Sequence, residues 1–178
     1  MAKIGLFYGS STDNTAMVAD VIKEKLSALL PGAVELFDIG ESEVFDLLNY
    51  DYLIIGSSTW NIGELQDDWD IAFEQLEDLD FTGIKVAMFG VGDQFGYSEN
   101  YCDAIGILGE RFREQGAELV GFTNVDDSYD FLESRGVENG RWLGLALDED
   151  NQNELTDDRV SRWVTQLVQE LGLPAQVG

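Results

Sequence analysis

The sequence predicts an α/β protein: a doubly wound parallel sheet with helices on both of its faces. Two observations carry this. Asp51-Tyr52-Leu53-Ile54-Ile55-Gly56 and Ile84-Lys85-Val86-Ala87-Met88-Phe89-Gly90 are near-continuous apolar runs, the pattern of strands covered on both sides. Between such runs lie segments whose apolar residues recur at helical spacing, and strands alternating with amphipathic helices define parallel βαβ units.

Taken in order, a first strand is expected over residues 3–8. It enters Gly9 and the stretch Ser10-Ser11-Thr12-Asp13-Asn14-Thr15, after which Ala16, Val18, Ala19, Ile22, Leu26 and Leu29 mark a helix over 14–30. A second strand at 34–38 precedes a short helical turn at 43–48. The third strand spans 51–57, followed by a helix over 67–76, and the fourth strand spans 84–90, followed by a helix over 99–115. A fifth strand at 117–122, an extended segment at 142–147 and a helix over 156–172 complete the chain. Residues 123–140 show no convincing period, and loops of that length are commonly functional.

With 178 residues, 44% of them hydrophobic, and two prolines, the chain is the right size for one domain spanning residues 1–178. It has no apolar stretch near the roughly 20 residues of a membrane span. A strand starts by residue 3 with no leader-like segment before it, so a cytoplasmic location without membrane insertion is expected. The single cysteine, Cys102, excludes an intrachain disulfide, and the absence of histidine removes haem ligation and histidine-based catalysis. No metal site is expected. The formal charge of -25 opposes nucleic acid binding, which depends on Lys and Arg. The acids cluster at Glu64, Asp67, Asp68, Asp70, Glu74, Glu77, Asp78 and Asp80, and again at Asp148, Glu149, Asp150, Glu154, Asp157 and Asp158. Such one-sign fields steer basic partners.

In an open parallel sheet, ligands bind beyond the carboxyl ends of the strands. Three such ends carry unusual residues. Ser10 to Thr15 offer hydroxyl and amide side chains at the start of a helix, where free N–H groups and a partial positive charge of about half a unit attract anions. With no Lys or Arg there, and no Gly-Lys-Ser/Thr ending, the loop suits the monophosphate of a retained cofactor better than a hydrolysed triphosphate. Without a ligand, Thr12 or Asp13 would serve simply as a helix cap. The third strand ends in Ser58-Thr59-Trp60-Asn61-Ile62-Gly63, and the fourth leads into Gly92-Asp93-Gln94-Phe95-Gly96-Tyr97. Trp60 and Tyr97 are placed to flank a flat ligand, or else to cap the sheet edge and pack on the next helix. The glycines from Gly90 to Gly96 imitate a dinucleotide fingerprint, but Phe95 occupies its sixth position.

These motifs, with the late segment Gly144-Leu145-Ala146-Leu147-Asp148-Glu149-Asp150-Asn151-Gln152, resemble the flavodoxins along nearly the whole chain, specifically the long-chain kind. The resemblance implies a flavodoxin-like five-stranded sheet of strand order 2-1-3-4-5, with residues 123–140 as an insertion in the fifth strand. It implies a low-potential one-electron carrier that uses non-covalently bound FMN in place of ferredoxin, and no enzyme. Ser10, Ser11, Thr12, Asn14 and Thr15 would bind the phosphate, with Asp13 as a departure from the glycine common there. Trp60 and Tyr97 would flank the isoalloxazine, with Ser58, Thr59, Asn61, Ile62 and Gly63 around the first ring. Gly92, Asp93, Asn100 and the backbone at Cys102 would meet the pyrimidine edge, and Asp150 would approach the ribityl chain. Implied partners are redox proteins with basic docking surfaces: ferredoxin–NADP reductase, photosystem I or nitrogenase-type systems. A monomer is expected. Two alternatives are a flavin enzyme such as an NAD(P)H:quinone oxidoreductase on the same fold, and a receiver-type regulatory module. The second would want an acidic pair after the first strand, where Gly9-Ser10 stand.

Overall fold

The computed structural model describes residues 3–9, 13–60 and 63–173, the side chain of Trp60 excepted. β1 (Ile4–Gly9) leads to α1 (Asp13–Leu29), β2 (Val34–Asp38) and two 3-10 segments, Ile39–Glu41 and Val44–Asn49. β3 (Tyr52–Trp60), the short β4 (Glu64–Leu65), α2 (Asp67–Gln75) and a 3-10 turn at Leu76–Asp78 follow. Next come β5 (Lys85–Val91), α3 (Asp103–Glu114), β6 (Glu118–Val120), β7 (Thr123–Asn124), β8 (Val137–Glu138), β9 (Arg141–Trp142), β10 (Gly144–Leu147) and α4 (Asn153–Glu170).

The strands lie parallel in the order β2-β1-β3-β5, and both β6 and β10 pair with the far edge of β5. β6 runs beside Lys85–Ala87 and β10 beside Met88–Val91, so two strands share the fifth position. The chain leaves the sheet between them and returns, as expected of an insertion in that strand. The excursion contains an antiparallel sheet, β7-β9-β8, of two-residue strands, too short to show a period in the sequence. Thr123 Oγ1 donates to the Gly144 carbonyl at 2.6 Å and the Tyr129 hydroxyl to the Ala146 carbonyl at 2.8 Å, tying the excursion to β10. Beneath it, fully buried Trp142 packs against Tyr101, Tyr129 and Phe131, with ring centroids 5.5, 5.4 and 5.1 Å away.

Side chains along each strand alternate between two cores. From β1, Ile4 and Leu6 join α1 and α4 on one face, while Phe7 points to the other, with α2 and α3. β5 repeats the pattern: Ala87, Phe89 and Val91 against Val86 and Met88. Both faces being buried explains why these strands read as continuous apolar runs. Each fully buried large side chain contributes about 1.5–3 kcal/mol.

Three boundaries differ from expectation by three residues or more. β3 continues to Trp60 because Thr59 and Trp60 pair with Leu65 and Glu64 of β4. α3 starts at Asp103, not at 99, because Cys102 adopts a left-handed backbone with φ 52°, which a helix interior excludes. α4 starts at Asn153, not at 156, because the Asp148 carboxylate accepts the Asp150 and Asn151 N–H groups and completes a turn that hands directly into the helix. Among the described residues, no helix is long and apolar enough to cross a membrane.

Candidate cofactor site

The chain reverses direction across the sheet at β1 and β3, which are neighbours although β2 lies on the other side of β1. Such a switch point opens a crevice beyond the strand ends. Pairing of Gly9 with Ser57 and of Ser58 with Val91 sets the carboxyl ends of β1, β3 and β5 side by side, so that the first, second and third loops, which follow these strands, leave from one edge of the sheet. Gly9 is required at the first of them. A Cβ there would stand 2.1 Å from Gln66 Oε1, so only glycine lets α2's cap reach the mouth of the loop. That Gln66 oxygen accepts the Asp68 and Trp69 N–H groups.

Ser10, Ser11 and Thr12, and likewise Asn61 and Ile62, lie outside the described residues, as does the side chain of Trp60. The described part of the first loop carries a clear signature. Thr15, in the first turn of α1, is 1% exposed, and among the described residues its Oγ1 has no hydrogen-bond partner. Burying an unpaired hydroxyl costs about 1–3 kcal/mol, so such a group points to a ligand that completes it. Asn14 is half-buried beside it. Asp13 is exposed in the first turn of α1.

The second loop is fastened to α3. Thr59 Oγ1 accepts the Ala104 N–H at 3.0 Å and so caps α3 from a neighbouring strand. Gly63 has φ +74°, and a Cβ added there would stand 2.6 Å from Asp103 Oδ2 and 3.3 Å from Asn100 Nδ2. Thr59, Gly63, Asn100 and Cys102 are thereby brought together around one helix start, while Ser58 lies in β3 beside Val91. Cys102 is fully buried against the Gly92 turn, and burial pushes its thiol well above the usual range. It is a packing residue of that turn.

The third loop folds on Asp93. Its Oδ1 accepts the Phe95 and Gly96 N–H groups at 3.0 and 2.8 Å and Asn151 Nδ2 at 2.8 Å. The Gly96 amide foremost, then Asn151 and the Phe95 amide, hold this carboxyl below the ordinary range against the opposing effect of burial. Tyr97, whose N–H closes a turn on the Asp93 carbonyl at 3.0 Å, is 45% exposed and presents an aromatic side chain beside the crevice. Asp150 is exposed near the same loop. Burial of its carboxyl, and then the charges of Asp93 and Asp148, raise its pKa.

Sequence reasoning missed the hub of this arrangement. Asp148 is fully buried, and no basic side chain pairs with it among the described residues. Its two oxygens accept the Gln94 N–H and Nε2, the Asp150 and Asn151 N–H groups, and Asn151 Nδ2, at 2.9–3.2 Å. Gln94, also fully buried, accepts the Asp130 N–H at 2.6 Å. One carboxylate therefore joins the third loop, the segment before α4 and the insertion. Read in sequence as one of a run of surface acids, Asp148 belongs to the interior. The available signal was the position of Asp148 two and three residues before Asp150 and Asn151, the spacing at which an Asp side chain accepts backbone N–H groups and closes a turn.

A doubly wound α/β fold with an anion-seeking helix start and an exposed aromatic at its switch point defines a nucleotide-type cofactor-binding protein. The comparisons with known proteins narrow this. The flavodoxin family model matches residues 6–163. A flavodoxin of Nostoc sp. strain PCC 7120 is 52% identical over 96% of this chain and 98% of its own, and one of Synechococcus elongatus is 49% identical over 97% of this chain and 100% of its own. Among solved structures, a Fusobacterium nucleatum flavodoxin bound to flavin mononucleotide superposes with a TM-score of 0.89 at 34% identity, covering 96% of this chain and 99% of that one. The chain belongs to the flavodoxin family, and its split fifth strand marks it as long-chain. Flavodoxins are themselves an example of the switch-point rule.

Proposed function

We propose that this protein is a one-electron carrier that binds FMN non-covalently in the crevice and serves redox proteins in place of ferredoxin. The observation that carries the reading is Thr15: a buried hydroxyl at a helix start, without a partner among the described residues, that follows a hydroxyl-rich sequence with no basic residue. It fits a monophosphate. Ser10, Ser11, Thr12, Asn14 and Thr15 hold the phosphate, Trp60 and Tyr97 flank the ring system, and Ser58, Thr59, Asn61, Ile62 and Gly63 shape its approach. Gly92, Asp93, Asn100 and Cys102 supply the polar edge, mainly as backbone, because the Asp93 oxygen Oδ1 is engaged in closing its own turn. Asp150 stands beside the sugar chain.

When bound, FMN supplies the one-electron chemistry. The chain sets how readily that chemistry proceeds. Asp93, Asp148 and Asp150 concentrate negative charge at the third loop, which disfavours gain of a further electron nearby and keeps the potential low. The exposed acids Glu64 and Asp67 form a field for basic docking surfaces, such as those of a ferredoxin–NADP reductase, photosystem I or a nitrogenase-type system. We read the chain as a single-domain, cytoplasmic monomer. Nothing in the family assignment or the site favours the quinone oxidoreductase or receiver alternatives.

Titration of the apoprotein with FMN and with riboflavin tests the reading. FMN binds markedly more tightly and its emission is quenched; equal affinities would remove the phosphate assignment. Stopped-flow electron transfer from a basic reductase slows as salt rises, and a rate indifferent to salt would refute the docking account.

A further inference from the structure

Lys and Arg together number ten in this acidic chain, and two of them line one pocket. It lies between α4 and the start of the insertion, encloses about 270 Å³, and is lined by Thr123, Asn124, Asp126, Arg159, Arg162 and Trp163 among others. Arg159 is 5% exposed, a burial that charged side chains rarely reach unless paired. Its Nη2 donates to Ser128 Oγ and Gln152 Oε1, both at 2.9 Å, and its guanidinium carbon lies 4.1 Å from the centre of the Tyr129 ring. Both acceptors are neutral. Among the described residues Arg159 forms no ion pair, and its buried Nη1 has no hydrogen-bond partner. The pocket's own carboxylate, Asp126, is engaged with its neighbour: Oδ1 accepts the N–H and the hydroxyl of Ser128. That hydroxyl foremost holds the Asp126 carboxyl below the ordinary range, and the charges of Arg159 and Arg162 add to the effect. Arg162 is paired with Asp158 at 3.0 Å, a solvent-exposed contact that yields readily.

We infer that this pocket is a second anion site, which binds a phosphate-type oxyanion between Arg159 and Arg162. Charge selects the occupant. A water molecule would complete Nη1 but leave a buried guanidinium without a counter-ion, and the face of the Tyr129 ring offsets only part of that cost. A guanidinium presents its N–H groups as a planar fork that matches two oxygens of a phosphate. Size narrows the choice further. The volume lies below the range of ordinary ligand pockets, so it suits inorganic phosphate or the phosphate of a small ester and is too small for a nucleotide. Both sources present the same group. None of the lining residues belongs to the three loops of the cofactor crevice, so this inference does not depend on the FMN reading.

The test is an amide NMR titration of the purified full chain, at constant ionic strength, with inorganic phosphate, methyl phosphate and, as control, chloride. Phosphate is expected to give saturable shifts at Asn124, Arg162 and Gln166. Arg159→Gln is expected to abolish them, and Arg162→Ser to weaken binding about tenfold. Asp126→Asn keeps an oxygen for Ser128 and removes a competing charge, so it is expected to tighten binding several-fold. Asp126 and Arg162 are exposed, and these two variants decide the matter even where Arg159→Gln does not fold. Methyl phosphate binding as tightly as phosphate supports the site as one for the head of an ester, and markedly weaker binding supports it as one for free phosphate. The inference is overturned if the shifts grow linearly without saturation, if chloride reproduces them, or if Arg162→Ser and Asp126→Asn leave the affinity unchanged. Shifts confined to residues 9–15 would place the phosphate at the cofactor loop and overturn it equally. Because the two sites are read at different amides, failure here is distinguishable from failure to bind FMN.

Discussion

Replacing Thr15 with valine removes one hydroxyl and keeps the shape of the side chain, so its effects on the empty and the loaded protein have opposite signs. The side chain is 1% exposed and Oγ1 has no partner among the described residues. Leaving a hydroxyl buried and unpaired costs about 1–3 kcal/mol, and a methyl in its place carries no such cost. The apoprotein is therefore expected to gain stability within that range in urea denaturation. The proposed phosphate site has this hydroxyl donate to a charged phosphate, a bond worth about 1.5–3 kcal/mol. At about 1.4 kcal/mol per factor of ten, its loss weakens FMN binding by roughly 10- to 100-fold. Riboflavin, which has no phosphate, keeps its affinity. Fluorescence titrations of wild type and T15V with both ligands, paired with denaturation of both apoproteins, read all four quantities. An FMN affinity unchanged by T15V, together with a less stable apoprotein, would show that the hydroxyl is structural and the argument mistaken.

Asp148→Ala strands the Gln94, Asp150 and Asn151 donors in the interior and is expected to destabilise the protein by about 3 kcal/mol or more in chemical denaturation, with Asp148→Asn falling between it and wild type. The Asp93 carboxyl is held low in the folded state, so its stabilisation is complete above the unfolded value of about 3.9 and is lost as pH falls through the lower folded value. Asp93→Ala should flatten that part of the acid unfolding curve. Asp150 has the opposite sign: its raised carboxyl favours the folded state most when protonated, and Asp150→Asn removes a penalty present at neutral pH. Asp13→Gly is expected to leave FMN affinity nearly unchanged, because the carboxylate is exposed, while apoprotein stability falls by about 0.3–1 kcal/mol from loss of an acid at the helix start. A substantially tighter FMN complex would show that Asp13 faces the phosphate.

Local physics was enough to read much of this protein from its sequence. Strands covered on both faces must be apolar throughout, so β1, β3 and β5 announced themselves, and helical spacing placed α1 and α2 within a residue or two. The hydroxyl run after β1 identified the loop to examine, because a helix start needs donors and acceptors whatever the rest of the chain does. Other features depended on partners distant in sequence. Asp148 could not be told from its acidic neighbours until Gln94, 54 residues away, supplied two of its hydrogen bonds. The start of α3 depended on the left-handed backbone at Cys102 and on a cap from Thr59, 45 residues before Ala104. Residues 123–140 lacked a pattern because their order comes from contacts, with Trp142, Tyr101 and Tyr129 packed together and the short strands pinned to β10. Periodicity records which face of an element is buried. What a buried polar group bonds to, and where a helix with a borrowed cap begins, is decided only when the tertiary structure brings the partner into reach.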